Sequence, residues 1–572
     1  MASEARSVPL YSCPGCGFKI GETTSNPNFI SESYLLDALS ISNDPLPPLQ
    51  LNAVRQQYED IVSLVASLDT QIAGLYASLE TMNSERQRLK ARLRKYRTVL
   101  HPIRRLPNEL ITRIFRLCDD TDISDPRVIK DCDTEHSLEY PGSLDTKQAP
   151  WVFTQVCRKW RNIALSVPRL WNRVDLRWCY SERVREYHPA LEPLLALQLQ
   201  CCSNQPLSVS YYGQAMVYNR RSKYSDNERL LMLLCSRSLQ WSTAYLGFGD
   251  TGGLRPFVSY GGLFPALKSL HIDLPIHYPQ IPFQVFQVAP RLRELTITGD
   301  HAGITADSFP WSQITNYLSQ GSSMDGVWML NNSAHFRIMP LLKNVQICDL
   351  ECLEEPDEVI VIPVQGLTLS HLHTLTLRSR GAAFSPVSQM LNWLTLPALH
   401  TLKFPCGLQS FPELVAFLSR SSCQLRELSL VDIELDDNQI WQLLSLSNVQ
   451  SLHTLTIGLY DDGAQQSLSI DDSFLWGLSF AAGREPVLPR LISLTLHGRK
   501  RWTDATLFQM SSSRRGRSTG EVARLQRLTV VGALSGPNRN PIECPDCVSR
   551  MWDLCQGGFV FEWAKSLDSI LR

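Results

Sequence analysis

One apolar pattern recurs nine times between residues 267 and 530, and it constrains the fold more than any other feature of the sequence. Each copy spans six residues and carries a large apolar side chain at its first, fourth and sixth positions; the third copy, for example, is Leu342, Val345 and Ile347. Successive starts are separated by 25, 50, 30, 27, 26, 27, 39 and 34 residues. We predict a short strand in each copy, and one degenerate copy within the step of 50 residues. The nine copies begin at Leu267, Leu292, Leu342, Leu372, Leu399, Leu425, Leu452, Leu491 and Leu525.

The segments between the copies have a helical spacing of apolar residues, as in residues 411–420 and 438–447. This alternation of a short strand with a returning helix resembles the leucine-rich repeat. The resemblance implies a solenoid over residues 261–572, whose parallel strands would line a concave surface that binds a target protein. The residues between the leucines would face that surface. They are mostly threonine and serine, and threonine favours strands whatever the ligand.

Residues 172–260 lack the clear pattern of the later copies. Two strands are predicted there, one from the spacing of Leu197, Leu199, Leu207 and Val209, the other over residues 239–248. We therefore expect degenerate repeats that cap the solenoid.

A heptad seam runs through residues 49–100, where apolar positions are spaced alternately three and four residues apart. Arg86 is the only charged member of the seam. This length exceeds what one surface helix needs, so the pattern favours a coiled coil, with a second copy of the chain as a possible partner. The alternative is one long helix that lies on the rest of the fold. The seam comprises Leu51, Val54, Tyr58, Ile61, Val65, Leu68, Ile72, Leu75, Leu79, Met82, Arg86, Leu89, Leu93, Tyr96 and Leu100.

The last part of the same segment is strongly basic, since residues 86–105 hold nine Lys and Arg residues and no acidic residue. Such a helix can contact nucleic acid or an acidic protein, or it can simply be a solvated face. Tyr96 is the only interleaved aromatic residue and no base-reading motif is present, so nucleic acid is not the expected partner. A second basic region, which includes Arg514, Arg515 and Arg517, is predicted to be a serine-rich loop.

Residues 106–115 read LPNELITRIF and predict a short amphipathic helix. Pro107 suits the first turn of a helix, where its missing N–H would be unpaired in any case. Leu110, Ile114 and Phe115 then recur at helical spacing and form a narrow apolar stripe.

Residues 151–171 predict a second helix, ended by Pro168. A pair of short helices buries little apolar surface alone, so leftover apolar surface invites a partner helix. An ordinary helical hairpin would have the same features. The apolar positions of the second helix recur at i, i+4, i+8 and i+11 and are Val152, Val156, Trp160 and Ile163.

These two segments resemble, in order, the two halves of an F-box. The first contains Pro-Xaa-Glu, and the second contains Val-Cys-Xaa-Xaa-Trp and Pro-Xaa-Leu-Trp. The whole chain is similar to F-box proteins with leucine-rich repeats, which are abundant in mushroom-forming fungi. The resemblance implies that residues 101–171, interrupted by an acidic insert at 119–147, dock on a Skp-family adaptor and through it on cullin. The implied adaptor-binding residues are Leu106, Pro107, Glu109, Leu110, Ile114, Phe115, Val156, Cys157 and Trp160.

Composition fits a globular protein of several units. The chain has 572 residues, of which 44% are hydrophobic and 19% charged, and its formal net charge is −1. The first residues lack the apolar stretch of a signal peptide and no continuous run of about 18 apolar residues follows, so we expect neither secretion nor a membrane span. Sixteen scattered cysteines are typical of reduced thiols in the cytoplasm or nucleus.

No motif in the chain predicts catalysis or a bound cofactor. Cys13 with Cys16 and Cys544 with Cys547 each have the spacing of half a zinc site, but neither pair closes locally into a four-ligand site, so we expect no metal. Phosphate-binding loops, nucleophile elbows and zinc-protease motifs are missing from the sequence. The histidines that recur at one repeat position are expected to be turn residues rather than ligands: His373, His400 and His453.

The resulting expectation is a mixed α/β chain that acts as the non-catalytic substrate-recognition subunit of an SCF-type (Skp-cullin-F-box) ubiquitin ligase. The alternative is a dimeric coiled-coil scaffold that uses the solenoid for assembly outside ubiquitin transfer. In order, the expected parts are a flexible segment at 1–48, a coiled coil at 49–100, an F-box at 101–171, capping repeats at 172–260 and the solenoid at 261–572.

Overall fold

The chain divides into two compact units, Met1–Leu106 and Pro107–Arg572. The first unit consists mainly of one long helix, and the second contains a large sheet. The computed structural model describes residues 41, 45–46, 48–119, 142–177, 190–213, 224–248, 257, 263–274, 283–299, 301, 303–324, 327–329, 332–353, 363–380, 385–405, 410–431, 435, 437–458, 470–480, 485–497, 502–515, 523–531 and 545–564.

The first unit is dominated by helix α1, Pro48–Val99, which is continuous over 52 residues. A 3-10 turn, Pro102–Arg105, follows it, and the ring Nδ1 of His101 accepts a hydrogen bond from the Ile103 N–H at its start. The predicted helical segment at 49–100 is therefore confirmed within about one residue at each end. No residue of the helix from 51 to 99 is buried.

The segment Leu51–Arg105 is also apolar enough, by length and composition alone, to cross a membrane. An 18-residue window within it has a mean hydropathy of 1.2 and is 0% buried. No membrane span was expected from the sequence, because isolated polar residues interrupt every apolar run of this segment.

The second unit contains a 14-stranded sheet in which every neighbouring pair is parallel. The strand order follows the chain order, except that β7, β8, β10 and β12 form two small separate sheets. Each connection must therefore return to the same end of the sheet, which is compatible with a solenoid. In chain order the described strands are β1 Arg173–Arg177, β2 Leu207–Gly213, β3 Trp241–Phe248, β4 Ser269–Asp273, β5 Glu294–Thr298, β6 Asn316–Gln320, β7 Ser322–Met324, β8 Val327–Met329, β9 Ile347–Leu353, β10 Leu367–Thr368, β11 Thr374–Arg380, β12 Leu394–Thr395, β13 Thr401–Pro405, β14 Glu427–Val431, β15 Thr454–Gly458, β16 Ser493–His497, β17 Arg527–Val531 and β18 Val560–Ala564.

Helices form most of the connections that lead from the end of one strand to the start of the next. Neighbouring helices pack on each other at α5 with α6, α8 with α9, α11 with α12 and α12 with α13. The predicted helices at 411–420 and 438–447 are present as α9 and α10. After α1, the described helices are α2 Asn108–Asp119, α3 Trp151–Val156, α4 Arg158–Leu165, α5 Leu191–Cys202, α6 Tyr224–Cys235, α7 Asn332–Ile338, α8 Ser385–Trp393, α9 Phe411–Ser421, α10 Asp437–Leu444, α11 Asp472–Leu478, α12 Asp504–Arg515 and α13 Pro545–Gln556.

Strand register stacks the apolar positions of the repeat into rows. Leu402 of β13 lies opposite Leu428 of β14, which lies opposite Leu455 of β15, and the row continues to Leu494 and Leu528. All five side chains are fully buried. The alternate residues of the same strands, mostly threonine and serine, form the opposite side of the sheet, which we call the threonine face.

A recurring backbone contact fixes this register. Just before a strand, one carbonyl accepts hydrogen bonds from two consecutive N–H groups of the next repeat: the carbonyl of His373 accepts from His400 N (2.8 Å) and Thr401 N (3.0 Å). His400 and His453 occupy the same backbone position, as predicted for turn residues. The carbonyls that accept in this way are those of Lys268, Arg293, Thr315, Gln346, His373, His400, Arg426, His453 and Ile492.

The step of 50 residues does contain an additional strand, β6. Tyr317 lies opposite Leu295, so Ile314, Tyr317 and Ser319 occupy the three apolar positions of this unit. The predicted degenerate copy is thus confirmed.

The next copy was placed wrongly by three residues. Cys348 lies opposite Leu375, so the three positions are Val345, Cys348 and Leu350 rather than Leu342, Val345 and Ile347. Both triplets are apolar, and only burial separates them. Ile347 lies on the threonine face and is exposed, whereas Cys348 is buried.

The strand predicted through Leu197 and Leu199 is also wrong, because both residues lie in helix α5. Its buried residues Leu191, Leu195 and Leu199 recur every four positions, which is helical rather than strand spacing. The prediction was correct further along, since Leu207 and Val209 lie in β2 and residues 241–248 form β3.

Arg514 was predicted to lie in a serine-rich loop, but it is buried at the end of helix α12 with 1% of its surface exposed. Its guanidinium donates to the carbonyls of Leu478 (2.6 Å), Val487 (2.6 Å) and Leu488 (3.2 Å), and lies 4.5 Å from the ring centre of Phe480. Burial lowers the pKa of Arg514 to about 10, which leaves it charged at neutral pH. This cation therefore ties helix α12 to the preceding connection.

We expect Arg514→Met to lower the free energy of unfolding by about 2–4 kcal/mol, because it leaves buried carbonyls without a donor. Arg524→Met, at an exposed arginine nearby, should change it by less than about 0.5 kcal/mol. Urea denaturation followed by tryptophan fluorescence would measure both. Equal effects of the two substitutions would contradict the structural role of Arg514.

A buried polar pair accompanies the degenerate strand β6. The His301 ring contacts the Gly299 carbonyl through Nδ1 (2.6 Å) and the Ser319 hydroxyl through Nε2 (2.8 Å). With a neutral ring, Nδ1–H donates to the carbonyl and Nε2 accepts from the hydroxyl. Burial, together with the nearby His335 and Arg337, lowers the pKa of His301 to about 3.

Folding should therefore weaken on acidification through His301. Its pKa is about 3 in the folded chain and about 6.5 when unfolded, so the unfolded state binds more protons below pH 6.5. Between pH 7 and pH 4.5 this group alone should remove about 2–3 kcal/mol from the free energy of unfolding. His301→Gln should be less stable at pH 7 but lose less on acidification. Identical pH slopes in urea denaturation would contradict this prediction.

Candidate protein-docking site

Three helices of the second unit, α2, α3 and α4, form a small helical cluster with the 3-10 turn Pro168–Trp171. The Ile111 N–H donates to the Pro107 carbonyl (3.2 Å), so helix α2 begins next to the proline as the sequence suggested. Ile111 and Phe115, one turn apart, form the buried face of α2.

Phe115 is the centre of this cluster. Its ring stacks on Phe153 of α3 at 4.2 Å and meets the edge of Trp160 of α4 at 5.0 Å. Phe115 is 0% exposed. It therefore holds the three helices together and does not belong to a docking surface, contrary to its assignment among the adaptor-binding residues.

The second predicted helix is broken in two at Cys157. This residue has an extended backbone (φ −163°, ψ 168°), and its Sγ accepts a hydrogen bond from the Trp160 N–H (3.5 Å) at the start of α4. Arg161 Nε donates to the Thr154 carbonyl (2.8 Å) across the break. Because the helix is interrupted, Val156 does not share a buried face with Trp160 and Ile163, and it is 56% exposed.

Helix α2 carries a second apolar stripe that nothing in its unit covers. Leu110, Ile114 and Leu117 recur at i, i+4 and i+7, and we call them the outer stripe. Leu110 is 46% exposed, Leu117 is 67% exposed and Ile114 is half-buried. Uncovered apolar side chains at helical spacing are typical of a surface that another protein covers.

The structure brings some of the other sequence-predicted residues to the surface. Pro107, Glu109 and Cys157 are exposed, and Trp160 is half-buried against Phe115. Leu106 is half-buried and is the last residue of the first unit, whereas the cluster belongs to the second. Sequence reasoning missed Ile111 and Leu117, although both lie at helical spacing from the residues that it named.

The helical cluster is connected to the sheet by hydrogen bonds through Ser143. The Trp151 indole N–H donates to the Ser143 carbonyl (2.7 Å), and Ser143 Oγ accepts from the Asp175 N–H (3.0 Å) of β1. Trp171, at the end of the cluster, is fully buried and donates to the Ala164 carbonyl (2.8 Å). The cluster and strand β1 thus share a buried, hydrogen-bonded junction.

The end of the acidic insert is part of this junction. Leu144 is fully buried and Asp145 is nearly so, so this part of the predicted insert packs within the second unit. Residues 120–141 of the insert lie outside the described residues.

The threonine face is the second surface with features of a docking site. Its charged residues pair across neighbouring strands: Lys403 Nζ lies 2.7 Å from Glu427 Oε1, and Arg378 pairs with Asp349. Half-buried threonines lie beside these pairs, such as Thr376 on β11 and Thr456 on β15. A partner would therefore meet hydroxyl groups and neutralised charge rather than a strong field.

Within the described ranges, no group of three or more His, Cys, Asp and Glu side chains could hold a metal ion. Cys13, Cys16 and Cys544 lie outside those ranges, and Cys547 falls in α13 without a described side chain. Burial raises the pKa of the Cys423 thiol to about 11 and that of Cys235 to about 12, so both are protonated at neutral pH.

No protein-family model matches this chain, and no curated protein is similar to it in sequence. The resemblance to F-box proteins and to leucine-rich repeats thus remains a prediction that depends on the residues quoted above.

The two stripes of α2 should respond differently to substitution. Phe115→Ala removes the centre of the cluster and should destabilise it by about 3–5 kcal/mol. Leu117→Ala, on the outer stripe, should change its stability by less than about 0.5 kcal/mol. Amide hydrogen exchange in peptides from residues 108–171 would measure both. Comparable loss of protection in the two variants would contradict the division into a buried and an uncovered stripe.

Proposed function

We propose that the chain is the non-catalytic substrate-recognition subunit of an SCF-type ubiquitin ligase. In this proposal the helical cluster is an F-box that docks on a Skp-family adaptor, and through it on cullin, while the leucine-rich repeats bind a target protein. The adaptor-facing residues are a corrected version of the sequence-based set. Phe115 is removed because it is buried, Leu106 because it belongs to the first unit, and Leu117 is added. The apolar members are then Pro107, Leu110, Ile114, Leu117, Val156 and the half-buried Trp160.

The uncovered outer stripe of α2 is the observation that carries the proposal. Helix α2 has an apolar face on each of two sides, and its own unit covers only the side that contains Phe115. Leaving leucines in water is unfavourable by about 25 cal/mol for each Å² of apolar surface. A partner that offers an apolar groove would recover that free energy, as a helix-in-groove contact does.

The threonine face is the surface that we assign to the target protein. It belongs to a continuous parallel sheet whose register is fixed by backbone contacts, so its side chains are held in a defined order. Holding adaptor and target on one rigid unit raises the effective concentration of the target near the ubiquitin-loaded enzyme. The chain needs no catalytic group for this role.

A pull-down of a Skp-family adaptor and cullin with the full chain tests the adaptor contact. The double variant Leu110→Glu, Leu117→Glu should lose capture by at least roughly tenfold, because two buried leucine contacts become carboxylates in an apolar groove. Arg116→Glu is the matched control, since it makes the same change of charge at an exposed position away from the outer stripe. Capture by the control but not by the double variant is the expected result.

Failure of the unaltered chain to capture the adaptor at moderate salt would contradict the proposal. The alternative would then be a scaffold that assembles proteins outside ubiquitin transfer. The uncovered seam of helix α1 favours that second function, because it offers an assembly surface that does not depend on the helical cluster.

A further inference from the structure

The seam of helix α1 is an apolar surface without a cover. Twelve of its apolar members, from Leu51 to Leu100, are between 41% and 68% exposed. A shallow groove on the same helix is lined by the apolar residues Met82, Leu89, Leu93 and Tyr96 and by the charged residues Glu85, Arg86, Lys90 and Arg92. A soluble helix with so long an apolar stripe requires a partner, because an isolated helix gains little stability from its backbone alone.

The spacing of the seam identifies the kind of partner. Seven heptads at a strict alternation of three and four residues pack against a helix with the same repeat and a similar length. Helix α1 of a second copy meets both requirements over its whole length. Symmetric association of identical chains is also the commonest form of protein assembly.

The distribution of charge determines whether the second helix runs parallel or antiparallel to the first. In a parallel pair in register, equivalent residues face each other, so the Arg86 side chains would meet in the core. The following basic stretch, residues 86–97, carries seven Lys and Arg residues and no acidic residue, and it would lie beside its own copy. Both effects oppose the parallel arrangement.

An antiparallel pair removes both problems. If the two seams overlap fully, residues 86–97 face residues 54–65 of the second copy, which hold Glu59, Asp60 and a single basic residue, Arg55. Arg86 then lies opposite an apolar seam residue, where its methylene stem can pack while the guanidinium reaches solvent.

We propose that helix α1 pairs with α1 of a second copy as an antiparallel coiled coil, which makes the protein a homodimer. This proposal does not rest on the function assigned to the helical cluster. The two chains leave the coil at opposite ends, separated by roughly 75 Å at 1.5 Å per residue.

Native residues allow a direct test of direction. Glu59 and Lys90 are 31 residues apart in one continuous helix, or about 46 Å. A zero-length carbodiimide crosslink between Glu59 or Asp60 and Lys90 or Lys95 can therefore form only between two copies, and only if they are antiparallel. The expected result is this crosslink in the full chain, identified by mass spectrometry, in a species of twice the 64.7 kDa chain mass by light scattering.

Substitutions on the seam test its role in association. Leu68→Glu with Leu75→Glu should weaken the dimer by at least roughly a hundredfold, because each dimer loses four buried leucines. Ala73→Glu is the control, since it places the same group on the polar side of the helix and should leave the mass unchanged. Circular dichroism of both variants separates loss of association from loss of helix.

Three results would overturn the proposal. One is a monomer at tens of micromolar protein. Another is a dimer in which an amine-reactive reagent joins Lys90 to Lys90 and carbodiimide gives no crosslink from Glu59 or Asp60, which indicates a parallel coil. The third is flotation of the chain with phosphatidylcholine–phosphatidylserine vesicles without self-association, which would assign the apolar segment to a lipid bilayer instead.

Discussion

The large sheet depends on the backbone contact that precedes its strands, in which one carbonyl accepts two consecutive N–H groups of the next repeat. The contact occurs at Lys268 and recurs as far as Ile492. It needs no particular side chain, because only backbone atoms take part. It nevertheless sets which residue of one strand lies opposite which residue of the next, and this register stacks leucine on leucine. The leucine rows then bury the core and leave the alternate residues on the threonine face.

The backbone contacts set the register and the apolar side chains fill the core. For this reason the sequence predicted the regular repeats better than the irregular ones. A large apolar residue at three fixed positions was enough to place eight strands. The copy at Val345 was misplaced because Leu342, Val345 and Ile347 also fit the pattern, and the correct triplet is identified by the burial of Cys348 and by its register with Leu375. Strand β18 was missed because Gly558 stands at the first position of its copy, where the preceding copy has Leu525, although Phe561 and Trp563 occupy the fourth and sixth positions. At β6 the register is kept although Ser319 replaces an apolar residue, and the buried hydroxyl is satisfied by His301 from a neighbouring connection. Such a compensation between distant residues has no periodic signal in the sequence.

Prediction of the helical cluster from the sequence was limited in a similar way. The apolar spacing of residues 107–171 predicted helices, but it could not tell which apolar residues face inwards. Leu110 and Ile111 are adjacent in sequence and both apolar, yet one is exposed and the other buried. The choice is made by Phe153 and Trp160, which surround Phe115 and so orient α2. The break at Cys157 was invisible for a related reason, because a cysteine that caps a helix looks like one more apolar residue within it.

The outer stripe of α2 and the seam of α1 are both uncovered, but they require different kinds of partner. The outer stripe of α2 has three residues on one short helix, so its partner must supply most of the buried area and a groove of matching shape. The seam of α1 extends over about 50 residues, and an identical helix can cover it without any further element. If both proposals hold, one assembly carries two helical clusters and two threonine faces. Dimerisation then strengthens binding only to a target that presents two sites within reach, because a single site gains nothing from a second copy of its receptor.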